Sequence, residues 1–394
     1  MKSVTIHNVC RICGNTRLTP VLDLGAQPPA NSFLKRSELG RKEPRFPLSV
    51  QFCTECSLLS LRHVVDPRVL FKNYHYETGA SAPLVLHFQE EAQMLKDRYT
   101  LGAKDFVVEF GSNDGILLSE LLGTCRVLGV DPAKNLSLQA EKRGVKTLTA
   151  FFGENTAERI RSANGAARVI VANNVFAHIH NIHDVMRGVA LLLTEDGVFV
   201  SESHWVGNLI HEGGFDQIYH EHLSYYSLHA LHALAKAHKL VITDVEVVPI
   251  HGASLRVCMQ RQGKPSTSVS RLLAREKKLG LTTKGVFQDF GKKVKKNRAD
   301  VRAVLFRLKR KHKRVAGYGA PAKGNTLLNY FNIGHETLDF ITDTTPAKQG
   351  LYTPGTHIPV VSPEILASHP PDYFLLLAWN YASAILEKEA PLRK

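Results

Sequence analysis

The chain is predicted to be an α/β protein in three parts: an N-terminal zinc ribbon, a central doubly wound parallel sheet and a second, smaller α/β unit. Three observations predict this. Four of the six cysteines fall early, in two Cys-x2-Cys pairs. Short continuous apolar runs then alternate with helix-length spacers, the pattern of a parallel sheet covered on both faces. After a basic helical stretch, a strand, a glycine turn and a helix begin again at Arg314. The expected divisions are 1–72 for the zinc-binding part, 73–268 for the central sheet and 269–394 for the last unit.

With 394 residues and 44% apolar content, the chain is long enough for two or three ordinary globular domains. No apolar run reaches the roughly 18 residues of a membrane span, and the N-terminus lacks a basic-then-apolar leader pattern. A cytoplasmic location is the expectation. The formal charge of +14 suits an anionic partner, whether nucleic acid, a membrane surface or a phosphorylated small molecule. Much of that excess lies in the runs Lys292 to Arg298 and Arg307 to Arg314. Runs of this kind usually form a solvated helix face.

The pairs Cys10/Cys13 and Cys53/Cys56 have knuckle spacing, in which one tight turn presents two sulfurs to one metal. Zinc is expected, with disulfides or free thiols as the alternative that a reducing cytosol disfavours. Four thiolates would complete the coordination sphere and make the metal structural. Cys125 and Cys258 stand in apolar stretches and are read as core residues.

Strands are predicted at Phe106 to Phe110, Arg126 to Asp131, Lys146 to Phe152, Arg168 to Asn174 and Gly197 to Ser203. An antiparallel edge pair follows near Ile242 to Pro249 and Ser254 to Gln260. The segment Val107-Val-Glu-Phe-Gly-Ser-Asn-Asp-Gly115 is the first strand, turn and helix start, the place where doubly wound sheets bind ligands. Glu109, Gly111, Asn113, Asp114 and Gly115 are its candidate cofactor residues, the glycines allowing close backbone approach. The turn lacks the full G-x-G-x-x-G of a pyrophosphate cradle. Asp131, ending the second strand, is placed to accept from both hydroxyls of a ribose. Asn173 and Asn174 end the fourth strand at the same crevice, where their amides would hold the adenine or the amino-acid end. Together these features predict a Rossmann-like class I methyltransferase site for S-adenosylmethionine.

Beyond the fifth strand comes Tyr219-His220-Glu221-His222. A helix there would place Tyr219 and His222 on one face with Glu221 beside them. The set offers an acid/base imidazole, a phenol to steady an oxyanion and a carboxylate to set the imidazole tautomer. His220 is read as a packing or solvent-facing residue.

At this point the chain resembles the sugar C-methyltransferases of deoxysugar biosynthesis. The resemblance runs over nearly the whole length. It rests on the two cysteine knuckles, Leu22 to Leu34, the element Tyr74 to Gly79, the glycine turn, Asn173 to Ile179, Tyr219 to His222, His251 to Val257 and Gly317 to Leu328. It implies a zinc-binding domain, a methyltransferase domain and a C-terminal α/β domain, with a nucleotide-linked 4-keto sugar lying between them. It further implies His222 as general base, with Tyr76, His178, Tyr219 and Glu221 lining the sugar.

The C-terminal turn Gly317-Tyr-Gly319-Ala320-Pro-Ala-Lys323 has two readings. It satisfies G-x-G-x-x-A, with Asp343 further on, as an NAD site would. Preferred is a diphosphate site, because Lys323 adds charge at a helix N-terminus and the central domain already has a cofactor crevice. Methylation of RNA or protein, an inert zinc-ribbon module that binds nucleic acid, and oxygen methylation of a sugar nucleotide are the rival readings. Between Lys292 and Arg314 the sole aromatic is Phe306, so the base-stacking pattern of a single-strand binder is missing and no nucleic-acid partner is expected. The oligomeric state is left open.

Overall fold

The computed structural model describes residues 4–70, 82–250 and 252–390. Tyr76, expected at the sugar, and His251 lie outside the described residues.

The N-terminal part holds β1 (Val4–Ile6), β2 (Leu18–Gln27), β3 (Phe46–Cys53), β4 (Leu59–Leu61) and β5 (His63–Val65). Strands β2, β3 and β4 form an antiparallel sheet, and β1 pairs with β5.

The central sheet holds β6 (Phe106–Phe110), β7 (Arg126–Val130), β8 (Thr147–Leu148), β9 (Ala167–Asn173) and β10 (Leu193–His204). After them come β11 (Ser224–Tyr225), β12 (Val241–Val248) and β13 (Ser254–Gln260). The central order is β12-β13-β10-β9-β6-β7-β8, parallel from β8 to β10, with β13 and β12 antiparallel at the other edge. The expected strand at Lys146 to Phe152 shrinks to Thr147–Leu148. It is an edge strand whose continuation leaves the sheet, with Phe151 70% exposed and Phe152 stacked on Phe110 at 4.5 Å. One face of the sheet is covered by helix Ala82–Tyr99, whose Leu84, Phe88, Ala92 and Leu95 meet Val107, Val171 and Val200. Five buried residues in a row in β6 reflect burial on both faces.

The C-terminal sheet is β14 (Val315–Tyr318), β15 (Ile341–Thr342), β16 (Val360–Val361) and β17 (Tyr373–Leu376), all parallel in the order β16-β15-β14-β17. The basic connector is two helices, Thr267–Lys278 and Lys284–Arg310. On the longer one, Lys292 pairs with Asp289 and Lys296 with Asp300, all well exposed, so those two lysines lie on a solvated face.

The three parts share one core. Phe52 stacks on Phe287 at 4.2 Å, and Phe215 on Phe331 at 5.1 Å. Strand β11, which follows the Tyr219–His222 motif, leaves the central sheet and extends the N-terminal one beside β4. Among the described residues no helix is long and apolar enough to cross a membrane.

Candidate active site and metal centre

The cysteine knuckles meet. Cys10 and Cys13 lie between β1 and β2, Cys53 ends β3 and Cys56 sits in the turn before β4. Each knuckle closes with a backbone bond, Gly14 N–H to the Cys10 carbonyl and Ser57 N–H to the Cys53 carbonyl, both 3.0 Å. The Sγ atoms of Cys10 and Cys56 are 3.4 Å apart and those of Cys13 and Cys53 3.5 Å, with all four within 4.8 Å of one another. A zinc tetrahedron with Zn–S near 2.3 Å needs edges of about 3.8 Å, so the set fits. Sulfur contacts from Cys10 and Cys56 pull the Cys53 thiol down, while Cys53 pushes Cys10 up. Four thiols this close cannot all ionise without a cation among them, and a dication supplies it.

The candidate donor crevice lies at the carboxyl ends of β6, β7 and β9. Gly111 (φ +66°) and Gly115 (φ +75°) take left-handed backbone conformations. A Cβ on Gly111 would meet Val175 at 2.7 Å and one on Gly115 would meet Ala140 at 2.9 Å, so the glycines also admit close packing neighbours. Asp131 bridges the turn: Oδ2 accepts from Asn113 N–H at 3.0 Å and Oδ1 from Ala133 N–H at 2.8 Å. Each carboxylate oxygen keeps a second acceptor direction for a ribose hydroxyl. Asp114, buried, accepts from Arg143 at 3.2 Å. Glu109 is 3% exposed, and its Oε2 has no hydrogen-bond partner among the described residues. Burial, reinforced by Glu91, Asp131 and Asp114, raises its carboxyl well above the usual range. Asn173, 7% exposed, gives its amide N–H to Glu91 at 2.7 Å, and Asn174 N–H donates to the Glu202 carbonyl at 2.8 Å. The unsatisfied polar atoms Glu109 Oε2 and Asn173 Oδ1, together with the Asp131 carboxylate, suit a ligand that carries ribose hydroxyls and a cationic end.

Replacing Asp131 with Ala removes two charge-assisted bonds to the turn as well as the proposed ribose acceptor. Titration calorimetry is expected to show S-adenosylmethionine weakened by about tenfold to a hundredfold. An unchanged affinity would remove Asp131 from the donor site.

The Tyr219–His222 segment is not a helix. It is a single turn closed by His222 N–H to the Tyr219 carbonyl at 3.0 Å, because Leu223 N–H is drawn to the Ala177 carbonyl and β11 starts at once. The turn still brings the two side chains together, with Tyr219 Oη 2.8 Å from His222 Nε2. His222 Nδ1 lies 2.9 Å from the Gln217 carbonyl. A carbonyl only accepts, so Nδ1 carries the hydrogen, Nε2 is the acceptor and Tyr219 donates to it. Thus Gln217, and not Glu221, sets the tautomer. Glu221 instead accepts from Asn31 at 2.8 Å, and burial raises its carboxyl to about 7. The His178 ring stands 4.9 Å from that of His222, edge-on, and burial lowers it to about 4. His204, the last residue of β10, has its ring 5.5 Å from His222. His220 is buried against Phe46, with Nε2 donating to the Phe46 carbonyl at 3.1 Å, a packing role. Asn31, Gln217 and His204 carry no signal of this placement in the sequence.

In the C-terminal unit, Gly317, Gly319 and Ala320 form the end of β14 and the turn before helix Ala322–Phe331. Lys323 Nζ lies 4.3 Å above the Trp379 ring and bonds the Asn380 side chain. Burial lowers its ammonium to about 8, with Asp216 opposing the shift. Asp216, itself buried, accepts from Trp379 Nε1 at 2.7 Å. Asp343 takes the Ala320 N–H at 2.6 Å. Between this unit and the central one lies a pocket of about 200 Å³ lined by Asn208, Gln217, Trp379 and Asn380 among others. Gln217 belongs to both this pocket and the His222 tautomer contact.

A seven-stranded sheet of this order, with an acid-ended second strand and a glycine turn at the first, defines an S-adenosylmethionine-dependent methyltransferase of class I. Residues 10–71 match the model of a zinc binding domain, 87–245 that of a methyltransferase domain and 249–394 that of the C-methyltransferase C-terminal domain. The chain is 39% identical over 387 residues to C-methyltransferase NovU of Streptomyces niveus, covering 96% of this chain and 91% of that one. An uncharacterized methyltransferase of Schizosaccharomyces pombe is 28% identical over 117 residues, 28% of this chain and 45% of its own length. Among solved structures, the magnesium protoporphyrin IX methyltransferase of Synechocystis PCC 6803 overlaps 45% of this chain and 83% of its own. Its TM-score is 0.37 at 10% identity. The chain belongs to the C-methyltransferase family, with that family's zinc-binding, methyltransferase and C-terminal parts in order.

Proposed function

We propose that the chain methylates a ring carbon next to the ketone of a nucleotide-linked 4-keto deoxysugar. The observation that carries this reading is His222: its Nδ1–H is tied to Gln217, which leaves Nε2 as a proton acceptor beside a phenol and two further imidazoles. A saturated ring carbon is no nucleophile, whereas a carbon beside a ketone becomes one by losing a proton. The Tyr219–His222 pair takes that proton, and it comes to rest on His222 Nε2. The C–H electron pair moves into the carbon–carbon bond of the enolate, and the carbonyl pair moves onto oxygen. His178, lowered by burial and hence neutral near pH 7, has a single N–H, which would have to turn from the backbone of Glu221 and Asn174 to donate to that oxygen.

S-adenosylmethionine, when bound, supplies the methyl group. Asp131, Asn173 and the glycine turn hold it on the other side of the reacting carbon, where alignment supplies much of the acceleration. Lys323, at the start of helix Ala322–Phe331, receives the diphosphate, and the pocket at Asn208, Gln217, Trp379 and Asn380 receives the nucleoside. The zinc holds the N-terminal domain together, takes no part in the chemistry, and through that domain keeps Asn31 on Glu221.

The experiment is hydrogen exchange. Incubated in deuterated water with S-adenosylhomocysteine and a nucleoside-diphosphate 4-keto deoxysugar, the enzyme should exchange the hydrogen beside the ketone without methylating anything. Turnover with S-adenosylmethionine but no exchange in either condition would point to oxygen methylation and end the proposal.

A further inference from the structure

A buried charged network lies on the sheet face under helix Ala82–Tyr99, apart from the His222 site. Strand register puts Asn173 of β9, Glu202 of β10 and Arg256 of β13 on one rung. Glu109 of β6 stands opposite Val171, two residues before Asn173, and therefore on the same face. From the helix, His87 and Glu91, one turn apart, point down onto this rung. His87 Nε2 is 2.9 Å from Glu202, Arg256 reaches Glu202 at 3.0 Å and Glu91 at 3.6 Å, and Glu91 accepts the Asn173 amide at 2.7 Å. Glu91 and Glu202 are both 0% exposed.

Three carboxyls share one guanidinium and one imidazole, and burial beside other acids favours the protonated form of Glu109, so a cation arriving at its Oε2 would be met by a carboxyl that can ionise against it. Two unsatisfied polar atoms show where. Asn173 Oδ1 and Glu109 Oε2 are buried without a hydrogen-bond partner among the described residues. The Asn173 amide is not free to turn, because an ionised Glu91 demands N–H on its side, which leaves the oxygen facing away from the helix. The methyl donor carries an ammonium at its amino-acid end, while its adenine is neutral.

We propose that Glu91 is a positioning residue for the methyl donor: by taking the Asn173 N–H it aims the Asn173 carbonyl oxygen to accept from the donor's ammonium, which lies between Asn173 and Glu109. Arg256, Glu202 and His87 hold Glu91 in place. The inference rests on the donor site alone and needs no assumption about the sugar.

Protonation follows the same geometry. Burial, then Glu202, raises Glu91 to about 7, against Arg256, His87 and the Asn173 amide. The groups facing it are His87 on its own helix, Glu202, Arg256, Asn173 and Glu109. Below that pH, Glu91 becomes protonated and no longer dictates the amide's orientation, so donor affinity falls as pH falls.

The test is calorimetric binding of S-adenosylhomocysteine and of 5′-methylthioadenosine, which lacks the amino-acid end. Glu91→Gln, close in shape, and Asn173→Ala are each expected to weaken S-adenosylhomocysteine about tenfold while changing 5′-methylthioadenosine less than about twofold. From about pH 8 to about pH 6 the wild-type affinity for S-adenosylhomocysteine should fall more steeply than that of Glu91→Gln. Equal losses for both ligands would mean a purely structural role and would overturn the proposal, as would unchanged S-adenosylhomocysteine affinity or equal pH slopes. The sugar reading stands or falls separately, on the exchange experiment.

Discussion

Replacing His222 with Ala is expected to lower methyl transfer by about a hundredfold to ten-thousandfold, the range for a lost general base. Binding of S-adenosylmethionine should stay within about twofold. The expectation follows from the way the ring is held. Gln217 fixes the hydrogen on Nδ1 and Tyr219 faces Nε2, so the imidazole is presented as an acceptor before any substrate arrives. Ala removes the ring nitrogen that Tyr219 faces and, with it, the proposed proton sink for the C–H. The proposed donor residues Asp131 and Asn173 do not depend on it, since their contacts run to the glycine turn and to helix Ala82–Tyr99. Steady-state kinetics with calorimetry on the same preparation decides the matter. If cofactor affinity fell in step with turnover, His222 would be part of the donor site and not the base.

A double replacement of Cys10 and Cys13 by Ser should remove the zinc and, with it, on the order of several kcal/mol of stability from the N-terminal domain. Two ligands cannot hold the metal against water, and Cys53 and Cys56 would be left as buried, unmatched thiols. The loss should reach the active site although four thiolates on one metal leave no position open for chemistry. The N-terminal domain supplies the edge on which β11 pairs, the Phe46 carbonyl that anchors His220, and Asn31 on Glu221. Metal analysis together with thermal unfolding and turnover checks this. A variant that is metal-free, folded and fully active would refute a structural zinc.

Much of the fold was legible because strands buried on both faces leave unbroken apolar runs. Phe106 to Phe110 and the run from Arg168 show this plainly. The antiparallel edge pair β12 and β13 was legible from its short connection. Strand β8 was overread, since at a sheet edge an apolar run such as that of Phe151 and Phe152 need not continue as strand. The spacing of Tyr219 and His222 predicts one helical face, yet the pairing of β11 with the N-terminal sheet pulls the chain out into a turn. Nothing in the sequence marks Glu91, because an acid on an amphipathic helix ordinarily points to solvent and the groups it faces come from four distant strands.

What the sequence alone determined is the local chemistry: knuckles that can share a metal, a glycine turn after a strand, an acid closing the next strand, and a phenol near an imidazole. Each depends on neighbours a few residues apart, whose geometry the backbone dictates. Only the tertiary structure decided which carbonyl sets the His222 tautomer, that Asn31 and not an imidazole takes Glu221, and that Glu91 orients Asn173. Asn31 and Glu221, like Glu91 and Asn173, are separated by long stretches of chain and meet only where apolar burial packs the parts into one core. The Gln217 carbonyl, five residues from His222, is aimed by a turn that exists because β11 pairs with the N-terminal sheet. The direction of a hydrogen bond there is settled by whichever polar atom burial leaves within reach.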